Sequence, residues 1–148
     1  MRKILVAGNW KMNASTTMVK ELLDGLLAGT REGKDVDMAV FPPFPYLSQT
    51  ADLLGGSSIA WGGQTLNPAE KGAHTGEVSA SMLLDFGCRY VLVGQSERRA
   101  LYGESDEDVA ERFEAALAAG LHPVLCVGET LEEREADQTE AVVARQID

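Results

Sequence analysis

The residues best equipped for chemistry stand just past short apolar runs. Asn9 and Lys11 follow Ile4 to Gly8, and Gln64 follows Ile59 to Gly63. Gln95, Ser96 and Glu97 close the run from Tyr90 to Gly94, and Glu129 comes soon after Pro123 to Val127. If these runs are strands of one parallel sheet, the polar groups gather along a single edge, the edge at which such sheets bind ligands. Lys11, between Trp10 and Met12, puts one ammonium in a partly desolvated place where it attracts a phosphate or a developing enolate charge. A solvated loop lysine fits the same spacing. Within Gly94 to Arg99, a strand end running into a short helical turn aims Gln95 at a substrate oxygen and buries Glu97 beside Lys11 or Arg98. A surface ion-pair cluster of Glu97, Arg98 and Arg99, worth little in stability, is the other reading.

What must position these side chains is legible in the pattern between them. Runs at Ile4 to Gly8, Val36 to Phe41, Ile59 to Gly63, Tyr90 to Gly94 and Pro123 to Val127 are nearly continuous in apolar residues, as buried parallel strands are. Met18, Val19, Leu22, Leu23, Leu26 and Leu27 form one helical stripe, with Ser15 and Thr16 as cap candidates before it and Gly29 after it. A second helix is predicted from a Ser105 cap, with Asp106, Glu107 and Asp108 favoured by the helix dipole in its first turn. Val109, Phe113 and Leu117 are its expected buried stripe and Gly120 its left-handed stop. Weaker patterns cover Leu47 to Leu54 and segments starting near Ser79 and Thr139.

Strand and helix thus alternate, which argues an α/β fold with a parallel sheet. No GxGxxG or GxxxxGK stands after the first strand, so periodicity leaves a barrel segment or an unfamiliar open sheet without choosing. The stretch from Gln64 to Val78, with Gly72 and Gly76, is long for a connection, and long ordered loops serve function or an interface more often than not.

The chain has 148 residues, 45% of them hydrophobic, enough for one core. Its net charge of -10 opposes nonspecific binding to nucleic acid or anionic lipid, and all of that excess falls in residues 104–148, with 13 acids against three bases. Arg2 and Lys3 open the chain without a long apolar segment behind them, so no secretory signal or membrane span is expected and the expected address is cytoplasmic. Cys88 and Cys126 lack CxxC spacing, so neither a disulfide nor zinc is expected. His74 and His122 have no motif that prepares them for catalysis.

Five segments together carry a resemblance: Gly8-Asn9-Trp10-Lys11-Met12-Asn13, Gly72-Ala73-His74-Thr75-Gly76-Glu77, Val93-Gly94-Gln95-Ser96-Glu97-Arg98-Arg99, Tyr102-Gly103-Glu104-Ser105-Asp106 and Cys126-Val127-Gly128-Glu129. In this order the chain resembles the triosephosphate isomerase family over residues 1–148. The resemblance implies the N-terminal part, about five strands, of a TIM (β/α)8 barrel with its site at the C-terminal strand ends. It implies interconversion of dihydroxyacetone phosphate and glyceraldehyde 3-phosphate through an enediolate, in glycolysis and gluconeogenesis, without metal or organic cofactor. By the same resemblance Asn9 and Lys11 bind substrate, Lys11 opposes the phosphate and enediolate charge, and Ser96 and Glu97 support the site. Cys126 and Glu129 are nearby positions of structural character. The loop holding Thr75 is the one through which such subunits form homodimers, with Gln64, His74, Thr75, Glu77 and Arg98 at the interface.

Two departures shape the expectation for this chain. Gln95 stands where the family carries a catalytic histidine, and an amide donates a hydrogen bond but does not readily give up and regain a proton near neutral pH. A barrel of this kind takes about 250 residues. The sequence here reaches only a fifth helix, and no glutamate in it matches the family's base motif. The chain alone is therefore expected to be inactive and to pair with a complementing C-terminal barrel fragment, a second copy, or both. The alternative is a noncatalytic split or engineered barrel fragment acting in folding or assembly.

Overall fold

The computed structural model describes residues 4–30 and 36–148, so that Arg2 and Lys3 lie outside the described residues. Five strands, β1 (Ile4–Asn9), β2 (Val36–Phe41), β3 (Ile59–Gly63), β4 (Tyr90–Val93) and β5 (His122–Leu125), are all parallel and lie side by side in chain order. They form a curled half-barrel, as expected of the N-terminal part of a TIM barrel. The alternation of side chains along a strand divides the core in two. On one face Ala39, Phe41, Tyr90 and Leu92 pack with Leu5 and Val124. On the other, Val40 and Ile59 meet Val19, Leu23 and Leu54, while Val91 and Val93 meet Leu83, Val109 and Ala116.

The helices carry that second face. Helix α1 (Thr16–Gly29) starts where the Ser15 hydroxyl accepts the Met18 N–H, and it buries Val19 and Leu23. It runs through Gly29 rather than stopping before it. Helices α2 (Leu47–Leu54) and α3 (Ala80–Asp85) follow, α3 capped by Ser79. Helix α4 (Ser96–Tyr102) is the short turn expected after β4. It leads into α5 (Asp106–Ala119), where Ser105 and Asp108 exchange hydrogen bonds as a capping box and Gly120, at φ +91, ends the helix. Then come α6 (Leu131–Glu135) and α7 (Thr139–Ile147). Among the described residues, no helix is long and apolar enough to cross a membrane.

The structure corrects three expectations. The first and last strands are not buried: Ile4 is 61% and Val6 57% exposed, and β5 is at most half-buried. Each has a strand neighbour on one side only among the described residues. That position also explains why Pro123, with no N–H to donate, is tolerated in β5. The strand itself is His122–Leu125, displaced toward the N-terminus from the expected Pro123 to Val127, while β4 ends one residue early because the chain turns at Gly94, φ +76. On α5, Leu117 is 54% exposed and the small Ala116 takes its place against the sheet.

Candidate functional site

Four strand ends build one hollow of about 470 Å³, lined by Asn9 and Lys11 after β1, Gln64 and Thr65 after β3, and Gln95, Glu97 and Arg98 after β4. The Pro43-Phe44-Pro45 turn that follows β2 and the apolar side chains of Met12, Leu101 and Tyr102 complete its wall.

Lys11 is fixed by its backbone before its side chain does anything. Its φ of +52 is unusual for a residue with a Cβ. Three bonds hold it there: its N–H donates to Asn9 Oδ1 at 3.0 Å, and the Gln64 amide donates to both the Lys11 and the Phe41 carbonyl at 2.8 Å. Trp10, buried beside it, ties its own N–H to the Phe41 carbonyl at 3.2 Å, so the segment after β1 is laced to β2. The Lys11 ammonium then pairs with the Glu97 carboxylate across 86 positions of sequence.

Glu97 therefore faces Lys11 rather than Arg98. It is not buried as expected, since 38% of its side chain is exposed, a consequence of its place in the first turn of α4 at the mouth of the hollow. The hydrogen bond from Lys11, followed by Glu97's own backbone N–H, holds its carboxyl below the ordinary carboxylate value. A lowered folded-state pKa means the pair contributes fully above the unfolded value of about 4.3 and is lost as pH falls through the lower folded value. A carbon-13 titration is expected to find the Glu97 midpoint below about 4.3, and Lys11→Met to return it toward that value. An unmoved midpoint in Lys11→Met would refute the pairing. With both partners this exposed, little stability is at stake.

Gln95 lines the same hollow, half-buried, with its carbonyl accepting the N–H groups of Arg98 and Arg99 at 3.0 and 3.1 Å. An uncharged amide in the same lining as an ammonium and a carboxylate supplies a hydrogen-bond donor without a titrating group of its own. Ser96 does not line the hollow, and its hydroxyl donates to Glu97 at 3.4 Å. Cys126 and Glu129 also stand outside it. The Cys126 N–H bonds the Val93 carbonyl at 2.8 Å, and burial pushes its thiol pKa up. Glu129 accepts the Thr139 hydroxyl at 3.1 Å and faces Arg134 at 3.6 Å, joining the chain after β5 to α7.

The loop from Gln64 to Val78 is internally tied. Asn67 bonds the Val78 carbonyl at 2.8 Å and Glu77 at 3.0 Å, and the Glu77 N–H reaches the His74 carbonyl at 3.0 Å. Residues 71–77, including His74, Thr75 and Glu77, are exposed and do not line the hollow. Sequence reasoning missed Glu104, a carboxylate only 4% exposed that meets Arg98 Nε at 2.5 Å and Arg112 Nε at 3.3 Å. It thereby holds the Arg98 guanidinium 5.4 Å over the Tyr102 ring at the rim. The Pro-Phe-Pro turn was also missed, although three bulky residues directly after a strand were a readable signal.

Among the described residues, no group of three or more His, Cys, Asp or Glu side chains is arranged to hold a metal ion. The sequence matches a family model described as triosephosphate isomerase over residues 4–148. The triosephosphate isomerase of Dechloromonas aromatica (strain RCB) is 58% identical over 147 residues, covering 99% of this chain and 59% of that protein. That of Thiobacillus denitrificans is 60% identical over 148 residues, covering 100% and 58%. That of Nitrosomonas europaea is 54% identical over 143 residues, covering 97% and 57%. The chain thus spans somewhat under three fifths of the length of these relatives. A half-barrel with polar groups converging at its strand ends and a family match across nearly every residue lead to one statement: the chain belongs to the triosephosphate isomerase family.

Proposed function

We propose that this chain supplies the substrate-binding half of a site that interconverts dihydroxyacetone phosphate and glyceraldehyde 3-phosphate, and that alone it does not turn substrate over. The observation that supports this most is the convergence of Asn9, Lys11, Gln95 and Glu97 on one hollow. In this reading Lys11 opposes the phosphate and the enediolate oxygen, and Asn9 and Gln95 direct hydrogen bonds at the substrate. Gln95 stands for a histidine and gives electrophilic help without proton shuttling. Glu97 is engaged by Lys11 and its carboxyl is held acidic, so it is a poor base for a carbon-bound proton. In this reading the abstracting carboxylate comes from the C-terminal part of the barrel, as a complementing fragment would supply it. No metal or organic cofactor enters this chemistry.

The same proposal covers assembly. The exposed tip around Thr75, with His74 and Glu77, suits insertion against a second copy near Arg98, giving a homodimer. The setting is glycolysis and gluconeogenesis in the cytoplasm, with no nucleic-acid or membrane partner, in keeping with a net charge of -10. The noncatalytic reading, a fragment acting in folding or assembly, draws on the apolar open edge of β1, where Ile4 and Val6 are exposed.

A coupled assay on verified pure chain, with and without a polypeptide carrying the remaining residues of the Dechloromonas aromatica relative, separates the two. Turnover only in the mixture is expected. Turnover by the pure chain, blocked by a phosphorylated enediolate mimic, would overturn the claim of inactivity. A well-folded mixture without turnover would favour the noncatalytic reading.

A further inference from the structure

Arg99 stands one turn behind Gln95 and does not line the hollow, yet its guanidinium is tightly held beside it. From α4 it reaches back to donate its Nε to the Gly94 carbonyl at 2.8 Å. Its Nη1 meets Asp106 Oδ1 at 2.5 Å at the start of α5, and Asp106 Oδ2 in turn meets Arg145 Nε of α7 at 3.0 Å. The remaining Nη2 is buried and, among the described residues, without a hydrogen-bond partner. It lies so close to Gly94 that a Cβ there would be 2.9 Å from it, 2.9 Å from Val109 and 3.2 Å from the Cys126 carbonyl. One planar guanidinium therefore fills the corner where the ends of β4 and β5 meet α4 and α5. Its fork spans two acceptors that a single ammonium cannot span.

We propose that Arg99 is a positioning residue: it fixes the Gly94–Gln95 peptide, so that the Gln95 amide points into the hollow, and through Asp106 it makes that direction depend on α7. Gly94 is where this control acts. At φ +76 the residue has no side chain of its own to fix it, its carbonyl is held by Arg99, and Gln95 is the next residue along. Two consequences follow from the chain of contacts. The Asp106 carboxyl is held below its ordinary value first by the hydrogen bond from Arg99 and also by Arg145. The guanidinium is also mostly enclosed, with 16% of the Arg99 side chain exposed against 59% for Arg145, so the inner bond is the rigid one and the outer one adjustable. A displacement of about 1 Å at a catalytic group costs on the order of 10²-fold in rate, so a holder of this peptide matters although it touches no substrate.

The proposal rests on Gln95 facing substrate, and its test keeps the two apart. In the full 148-residue chain, Arg99→Lys is expected to move the Gly94 carbonyl carbon resonance upfield. It should also speed hydrogen exchange of the residue 98 and 99 amides, which bond the Gln95 carbonyl, by about tenfold, while amides of β2 stay unchanged. Arg145→Gln should give a smaller shift in the same direction. With the rest of the barrel supplied, Arg99→Lys should lower kcat by about 10- to 100-fold at nearly constant KM, because substrate binding through Lys11 is intact. An unmoved Gly94 signal in Arg99→Lys overturns the proposal. If that variant does not fold, an unmoved signal in the surface variant Arg145→Gln overturns it instead. Normal kcat in Arg99→Lys with a shifted Gly94 signal also overturns the positioning role. Shifted signals in a completed barrel that never turns over would overturn the reading of Gln95 and leave the clamp standing.

Discussion

Replacing Gln95 by His is expected to raise isomerase turnover by roughly 10² to 10⁴ once residues 1–148 are combined with the barrel portion that lies beyond the matched part of the relatives, the usual scale for one positioned acid-base group. The side chain already faces the hollow that holds Lys11 and Glu97, so the change adds a group able to release and recover a proton at a place where only a fixed donor stood. Its imidazole would sit near an ammonium whose charge is largely met by Glu97, which leaves the neutral ring accessible near pH 7. The measurement is kcat for purified mixtures of wild-type and variant chains with the same complement. Equal rates would show that residue 95 is not the electrophile.

In stability, the largest expected loss comes from one hydrogen atom on β3. An ideal Cβ on Gly62 would lie 2.2 Å from the Tyr90 carbonyl oxygen and 2.8 Å from Phe41 Cε1, and the first of these is backbone that cannot swing away. Gly62 and Gly63 opposite Tyr90 and Val91 are also the two register pairs joining β3 to β4, so a shift of Gly62 disturbs half of that pairing. Gly62→Ala is expected to cost about 3 kcal/mol, at the upper end for overpacking, seen as a lower urea midpoint or the absence of a cooperative transition. Gly25→Ala is the matched control. A Cβ there meets nothing within 4 Å inside α1, and a gain of about 0.5–1 kcal/mol is expected. Unfolding of Gly62→Ala at the wild-type midpoint would show that β3 and β4 do not pack as described.

Much of the frame is readable from sequence because local chemistry agrees with the global fold. Ser105 with Asp108, then Gly120, marks both ends of α5. The same spacing of cap and acid at Thr130 and Glu133 opens α6, but five residues are too few to display a helical period, and the pattern alone does not reveal that element. Leu117 fails as a core residue because α5 approaches the sheet through Ala116, a choice made by the neighbouring surface and invisible in hydrophobicity alone. At the site, Lys11 and Glu97 are legible as residues that follow strands, and proximity in a parallel sheet does the rest. The position of Gln64 is legible, but its role is not, because its amide serves two carbonyls that only folding brings together. Glu104 is hidden for the opposite reason, since a carboxylate in the acidic third of the chain looks like solvent-facing charge until Arg98 and Arg112 close over it.

Strand order that repeats chain order has a bearing on how the molecule comes into being. Among the described residues each strand finds its partner in the segment synthesised just before it, so none of these four pairings waits for residues made much later. At about 5–20 residues per second, a strand-helix unit of about thirty residues emerges from the ribosome over a few seconds, whereas helices and local contacts form in microseconds. The half-barrel is thus suited to vectorial growth, each unit docking on a template already in place. The Lys11 ammonium, made with the first unit and held once Gln64 of the third arrives, waits for Glu97 of the fourth to meet it.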